Sequence, residues 1–390
     1  MDGIGDLLFR HHTRIVFGPG ALASLPDEVR ALGASRALVV CDPGITRLGL
    51  ADRVAEALAT GGVESWRFDA LSENPRDAEC CAAASAASHG LGADVIIGLG
   101  GGSAMDAAKA AAALVTNGGT VKDWEDPRQL EREPLPLVCI PTTAGTGSEV
   151  TFVAVITDEV GHYKMALRGT GLAPRVAIVD PELTLSLPPA LTAATGMDAL
   201  AHAIEAYTCK KANPITDALA LKAVALIAAN LSTAVHHGAD LEARSATLLG
   251  STMAGMAFGN STVGAVHCVG EALGGLYDTP HGVAIAVFLP AVFRFNSAAD
   301  LARHADVAKA MGVDAAAGDP AALAELGAAA IERLMADVDI PRLADLPGVD
   351  PADFDELARV SAGFSVSQMN PREIAAADYL AILHETYRTD

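Results

Sequence analysis

The first half of this chain alternates between two kinds of segment, and that alternation restricts its fold more than any other feature. Short runs rich in Val, Ile and Leu occur at residues 14–18 (RIVFG), 36–42 (RALVVCD), 93–100 (ADVIIGLG), 136–141 (PLVCIP) and 175–180 (RVAIVD). Segments of helical period separate them, at 21–32, 50–61, 78–91 and 104–115. The short runs are continuously apolar instead of alternating, so both faces of each strand must be covered. Strands of that kind in βα order predict a parallel sheet with helices on both sides.

The alternation stops at Leu187-Pro188-Pro189. Beyond it, residues 191–207, 216–235, 243–258 and 321–338 are long, alanine-rich and helical in period, with almost no strand candidate among them. The expected organisation is an α/β domain with a parallel sheet over residues 1–188 and an all-helical domain over 189–390. A chain of 390 residues that is 51% hydrophobic and 19% charged can bury two such cores.

Charge narrows the partners. The 27 basic and 48 acidic side chains leave a net charge of −21, which repels phosphate backbones and anionic lipid. Neither nucleic acid nor a membrane is expected as a partner. No run approaches 18 uninterrupted apolar residues and the N-terminal segment lacks a signal-peptide core, so the expected location is cytoplasmic. The six cysteines show no CxxC spacing and read as reduced, mostly buried thiols.

Two loops at strand ends carry candidate ligand contacts. Gly98-Leu99-Gly100-Gly101-Gly102-Ser103 joins a strand to a helix, where glycines admit a phosphate and the helix N-terminus attracts it. The spacing departs from the ordinary dinucleotide fingerprint, because Ser103 stands at its last position and no acid ends a strand about 20 residues later. An acid in that setting does occur earlier. Asp42 ends the run 36–42, where it reads equally as a ribose-binding carboxylate and as a helix cap. The second loop, Pro141 to Thr151 (PTTAGTGSEVT), puts four hydroxyls and two glycines within residues 142–148 at the end of another strand, the edge where open α/β sheets bind ligands.

The helical half carries a different chemistry. Asp198 and His202 stand at i and i+4 among alanines, on one helix face. Such a couple is either a buried hydrogen-bonded pair or half of an ion site. His267 and His281 lie in similar surroundings of small and apolar residues. Three imidazoles and one carboxylate, with no thiolate, suit Fe²⁺, Zn²⁺, Mn²⁺ or Ni²⁺.

GLGGGSAMDAAKA, PTTAGTGSEVT, GMDALAHAIEAY, YDTPHG and Asn370-Pro371-Arg372 together resemble the iron-containing (group III) alcohol dehydrogenase family, which includes lactaldehyde and propanediol oxidoreductases. The likeness runs from RIVFGPGAL to NPREI, essentially the whole chain. It implies an N-terminal dinucleotide-binding domain and a helical metal-binding and substrate domain, an architecture similar to dehydroquinate synthase. It also implies NAD, one divalent metal (iron before zinc), hydride transfer between the cofactor and a small alcohol, aldehyde or ketone, and a homodimer. By the same resemblance Asp198, His202, His267 and His281 are the metal ligands, and Gly101, Gly102 and Ser103 contact the pyrophosphate. Asp42, Asn74, Thr142, Thr143, Thr146 and Lys164 then line the rest of the cofactor site.

One position departs from the family. Several members carry histidine four residues after the third ligand, near the substrate, where this chain has Glu271. On a helix Glu271 shares a face with His267, either as a catalytic or substrate-facing carboxylate or as one that merely bonds a neighbour. The alternatives on the same fold are a maleylacetate-reductase-like enzyme, disfavoured by the complete quartet, and a dehydroquinate-synthase-like lyase. The lyase would need basic groups for a phosphorylated substrate, and none occurs at 196–209 or 255–290.

Overall fold

A strand whose two faces are both buried must send successive side chains into different cores, and the first half does so. The computed structural model describes residues 7–72, 74–161 and 163–388. Its strands are β1 (Arg14–Phe17), β2 (Arg36–Val40), β3 (Glu64–Phe68), β4 (Val95–Gly100), β5 (Leu137–Pro141), β6 (Val153–Asp158), β7 (Tyr163–Arg168) and β8 (Val176–Val179). Six of them form one parallel sheet in the order β1-β8-β5-β4-β2-β3. Leu38, Val40, Ile96 and Cys139 enter the core on one face; Val39, Val95, Ile97, Val138 and Ile140 enter the other. This two-sided demand is why the runs are continuously apolar.

Helices α1 (Leu25–Ala31), α2 (Pro43–Arg47), α3 (Leu50–Thr60), α4 (Asp77–Ser85) and α5 (Gly102–Asn117) cross between the strands. α5 is the central one, with Ala104 to Leu114 all buried except Asp106. Lys109 is fully buried, and its ammonium donates to Ser148 Oγ (2.7 Å), Thr151 Oγ1 (3.1 Å) and the Val153 carbonyl (2.8 Å), with Asp106 at 3.4 Å. Asp106 in turn accepts from the Val155 N–H at 2.9 Å. These bonds fasten β6 and β7, an antiparallel hairpin, to α5.

Three strands escaped the sequence reading. β3 is an edge strand of exposed and half-buried residues (ESWRF), so no apolar run marks it. β6 and β7 bury only alternate positions, Ala154 and Ile156 against Leu167 and Met165.

The chain divides into two compact units, His11–Ser186 and Leu187–Asp390. Leu7–Arg10, expected within the first domain, group with the second, where the Arg10 N–H donates to Asn260 Oδ1 at 2.6 Å. This unit consists of α6 (Pro189–Thr208), α7 (Pro214–His236), α8 (Leu241–Asn260), α9 (Ala265–Tyr277), α10 (His281–Ala286), α11 (Leu289–Ser297), α12 (Leu301–Ala310), α13 (Pro320–Asp337), α14 (Phe354–Gly363) and α15 (Ala376–Arg388), with short 3-10 turns. Small residues let the helices approach closely. A Cβ at Gly196 would come within 2.2 Å of Leu231, which is how α6 meets α7. α7 is long and apolar enough by composition to cross a membrane; Asp217, Lys222 and Asn230 interrupt its apolar run, so the sequence reading passed over it. Ala220, Ala223, Val224, Ile227 and Leu231 on one side of it lie in the helical core.

Candidate functional site

Four side chains from three helices converge in the helical unit. α6 presents Asp198 and His202 one turn apart, both buried. His267 lies in the first turn of α9, and His281 is the first residue of α10. Glycines make the convergence possible. A Cβ at Gly270 would lie 2.5 Å from Ile285, and one at Gly282 would lie 2.3 Å from the Ala194 carbonyl oxygen. Hence α9, α10 and α6 pack backbone to backbone around the cluster.

Asp198 Oδ1 lies 3.7 Å from His267 Nε2 and 3.5 Å from His281 Nε2; Asp198 Oδ2 lies 3.7 Å from His202 Nδ1. Asp198, His267 and His281 each offer one ligand atom within 4.8 Å of the others. His202 stacks on Phe258 with ring centroids 4.3 Å apart and lies 4.5 Å from the His267 ring. Among the described residues Asp198 Oδ1 and His267 Nε2 are buried without a hydrogen bond. An orphaned buried polar atom costs about 1–3 kcal/mol, and a cation between these atoms would remove that cost. The donor set of oxygen and imidazole nitrogen therefore fits a divalent transition metal.

Charge inside the cluster is shared strongly. Burial raises the Asp198 carboxyl, but the three imidazoles outweigh it and hold the group below the usual carboxylate range. Burial likewise disfavours a charged His267, yet the Glu205 and Asp198 carboxylates push it up to about 10.

Glu205 was not singled out by sequence reasoning. It is buried on α6 at i+7 from Asp198 and i+3 from His202, so all three share one stripe of the helix. One carboxylate oxygen accepts the Val266 N–H at 2.7 Å and the other accepts from His267 Nδ1. Asn370 works beside it. Its Oδ1 accepts the Ala265 N–H at 3.2 Å, and its amide pairs with that of Asn296. Both groups cap α9 from a distance. A Cβ at Gly264 would sit 3.2 Å from Glu205 Oε1 and 3.1 Å from Asn370 Oδ1, so glycine leaves room for the two caps.

The α/β unit holds the two expected loops side by side. Gly100 takes φ 144°, a conformation glycine tolerates, and its carbonyl accepts the Thr142 N–H at 3.0 Å. A Cβ at Gly102 would lie 2.7 Å from the Thr146 side chain, and one at Gly101 3.4 Å from Thr143. The N-cap of α5 is Gly101, which has no side chain of its own to cap the helix, and the N-terminus of this 16-residue helix stands beside the threonine loop. Asp42 does cap a helix. Its Oδ1 accepts from Gly44 (2.7 Å) and Ile45 (3.1 Å) at the start of α2, while Oδ2 faces Gly100. Both readings of Asp42 thus keep an oxygen.

Three expected residues lie apart from these contacts. Asn74 is exposed in the bend after β3, its carbonyl accepting from Ser72 Oγ. Lys164 is exposed on β7 opposite Thr157. Glu271 is exposed one turn beyond His267 on α9 and is not part of the Asp198, His267 and His281 group. The six cysteines are free thiols, buried apart from half-buried Cys81.

Residues 12–181 match the iron-containing alcohol dehydrogenase family, and residues 192–387 match the C-terminal region of the Fe-containing alcohol dehydrogenase family. The chain belongs to the iron-containing alcohol dehydrogenase family. It is 38% identical over 368 residues to an NAD-dependent methanol dehydrogenase of Bacillus methanolicus, covering 94% of this chain and 96% of that one. The crystal structure of a 1,3-propanediol oxidoreductase superposes with a TM-score of 0.94 at 38% identity, over 97% of this chain and all of that one. A sulfoacetaldehyde reductase from Bifidobacterium kashiwanohense, solved in complex with NAD⁺, superposes with a TM-score of 0.91 at 32% identity, over 99% of this chain and all of that one. As a member of this iron-containing family the protein is an alcohol oxidoreductase. Its parallel-sheet α/β domain and helical domain are those of the family, and neither the lyase nor the maleylacetate-reductase alternative is favoured.

Proposed function

We propose that this enzyme holds one divalent metal ion, iron before zinc, on Asp198, His202, His267 and His281, and uses NAD to interconvert small neutral alcohols with their aldehydes or ketones. The observation that carries this reading is the pair of orphaned buried atoms, Asp198 Oδ1 and His267 Nε2, aimed at each other across 3.7 Å. When bound, the ion acidifies an alcohol hydroxyl and polarises a carbonyl, and the nicotinamide takes up or returns the hydride.

The chain's own groups do the rest. The start of α5, with Gly101, Gly102 and Ser103, supplies N–H groups and a positive helix end for the pyrophosphate. Thr142, Thr143 and Thr146 add hydroxyls to the same anion. Asp42 Oδ2 accepts from a ribose hydroxyl and repels a 2′-phosphate, which favours NAD over NADP. Asn74 and Lys164 line the outer part of the cofactor site. Glu271 keeps a negative charge one helical turn from His267, disfavouring substrates with a carboxylate beside the reacting carbon.

The NAD dependence of the methanol dehydrogenase relative and the NAD⁺ complex of the sulfoacetaldehyde reductase support the cofactor. The division of labour runs near residue 188, with the cofactor on the α/β domain and the metal on the helical one. We place the enzyme in the cytoplasm as a homodimer. NADH appearance at 340 nm with a panel of small alcohols, with and without chelator, tests the reading. Turnover that chelator abolishes and Fe²⁺ or Zn²⁺ restores is the expected result; turnover indifferent to chelator counts against the metal.

A further inference from the structure

A histidine binds a cation through one ring nitrogen, and whatever holds the other nitrogen decides which one is offered. His202 stands within α6, one turn from Asp198. His267 and His281 sit at helix starts, where helix ends fray unless their N–H groups are capped. The α9 N-cap residue is Gly264, which has no side chain to do this. The capping comes instead from Glu205 on α6 and Asn370 near the chain's end. Of these only Glu205 also touches the imidazole.

We propose that Glu205 is the positioning residue of this metal centre, gripping the start of α9 and the ring of His267 together so that Nε2 is the nitrogen turned to Asp198. A carboxylate only accepts hydrogen bonds, so His267 Nδ1 must be the donor and Nε2 is left with its lone pair for a cation. The arrangement adds charge as well as geometry. His267 and His281 both occupy helix starts, whose positive ends oppose a cation. Asp198 contributes one negative charge and Glu205 a second, which matches a divalent ion. Glu205 is buried, and its two carboxylate oxygens are taken up by Val266 and His267, one each, so both are committed to this grip.

The inference rests on the reading that a metal binds at Asp198 and the three histidines. Its test uses the full-length zinc-loaded enzyme and Glu205→Gln, each titrated with a chelator of known affinity, and the same two proteins loaded with Co²⁺ for visible absorption. Glutamine keeps an oxygen for the Val266 N–H but cannot accept from both donors, so helix content by circular dichroism stays the same. Zinc affinity then falls by about 10- to 100-fold, and the Co²⁺ bands change in position or intensity as His267 loses its fixed orientation. Equal zinc affinity and an unchanged Co²⁺ spectrum would overturn the proposal and reduce Glu205 to a helix cap. If wild type itself takes up neither ion, the metal reading fails first, which separates the two outcomes. A second measurement needs no variant. In zinc-loaded wild type labelled with ¹⁵N-histidine, His267 should carry its proton on Nδ1, and a proton on Nε2 instead would refute the assignment.

Discussion

Gly282 brings α10 so close to α6 that a Cβ on it would lie 2.3 Å from the backbone oxygen of Ala194. A backbone atom cannot swing aside as a flexible side chain can, so Gly282→Ala must displace α10, and His281 is the residue just before it. Overpacking of this kind costs about 1–3 kcal/mol. The expected protein is folded, unfolds at lower temperature, and retains metal poorly. Elemental analysis beside a thermal melt checks this; undiminished metal content would mean that α10 adapts without moving His281.

Protons compete with metal for His267. With its titration pushed up to about 10 by Glu205 and Asp198, the imidazole carries a proton through the neutral range whenever no ion is bound. Binding must therefore release that proton. The sign follows directly: affinity rises with pH, by about tenfold per unit for one proton released, and levels off only as pH passes about 10. Zinc affinities measured between pH 6 and 8 check it, and a flat profile would contradict the raised titration.

Asp42→Asn separates charge from capping. Asparagine caps helices about as well as aspartate, so the bonds to Gly44 and Ile45 survive and stability should change little. The repulsion of a 2′-phosphate disappears, and because Asp42 is only partly buried the gain should be modest, about tenfold in the NADP to NAD ratio of kcat/KM. Steady-state kinetics with both cofactors decide; an unaltered ratio would remove Asp42 from the ribose.

Glu271→Gln should raise activity towards alcohols bearing a carboxylate relative to neutral ones, leaving metal content unchanged. Solvent screens this exposed side chain, so the expected change is a few-fold. Loss of metal in this variant would instead make Glu271 a ligand, and an unchanged substrate ranking would leave it a surface residue.

What could be read from the sequence follows from how locally each feature is encoded. β2, β4 and β5 were legible because covering both faces demands unbroken apolar runs. β3 and the β6–β7 hairpin are half-exposed, and their mixed composition resembles loop. Asp198 and His202 announced themselves by helical spacing. That His267 and His281 come to the same point depends on close approaches at Gly270 and Gly282, which no periodicity reveals. Glu205 was visible as a third polar position on the α6 stripe, but its partners lie on α9, and nothing local points there. Asn370 entered only as part of a family motif; its bonds to Ala265 and Asn296 supply the physical reason for it.

The cap that Asn370 places on α9 also has a bearing on biosynthesis. Ligands from α6 emerge from the ribosome long before residue 370, so during synthesis the turn carrying His267 has Glu205 to hold it but lacks its second cap until that later segment folds back. A nascent chain therefore offers Asp198 and His202 before the second cap on the His267 turn is in place.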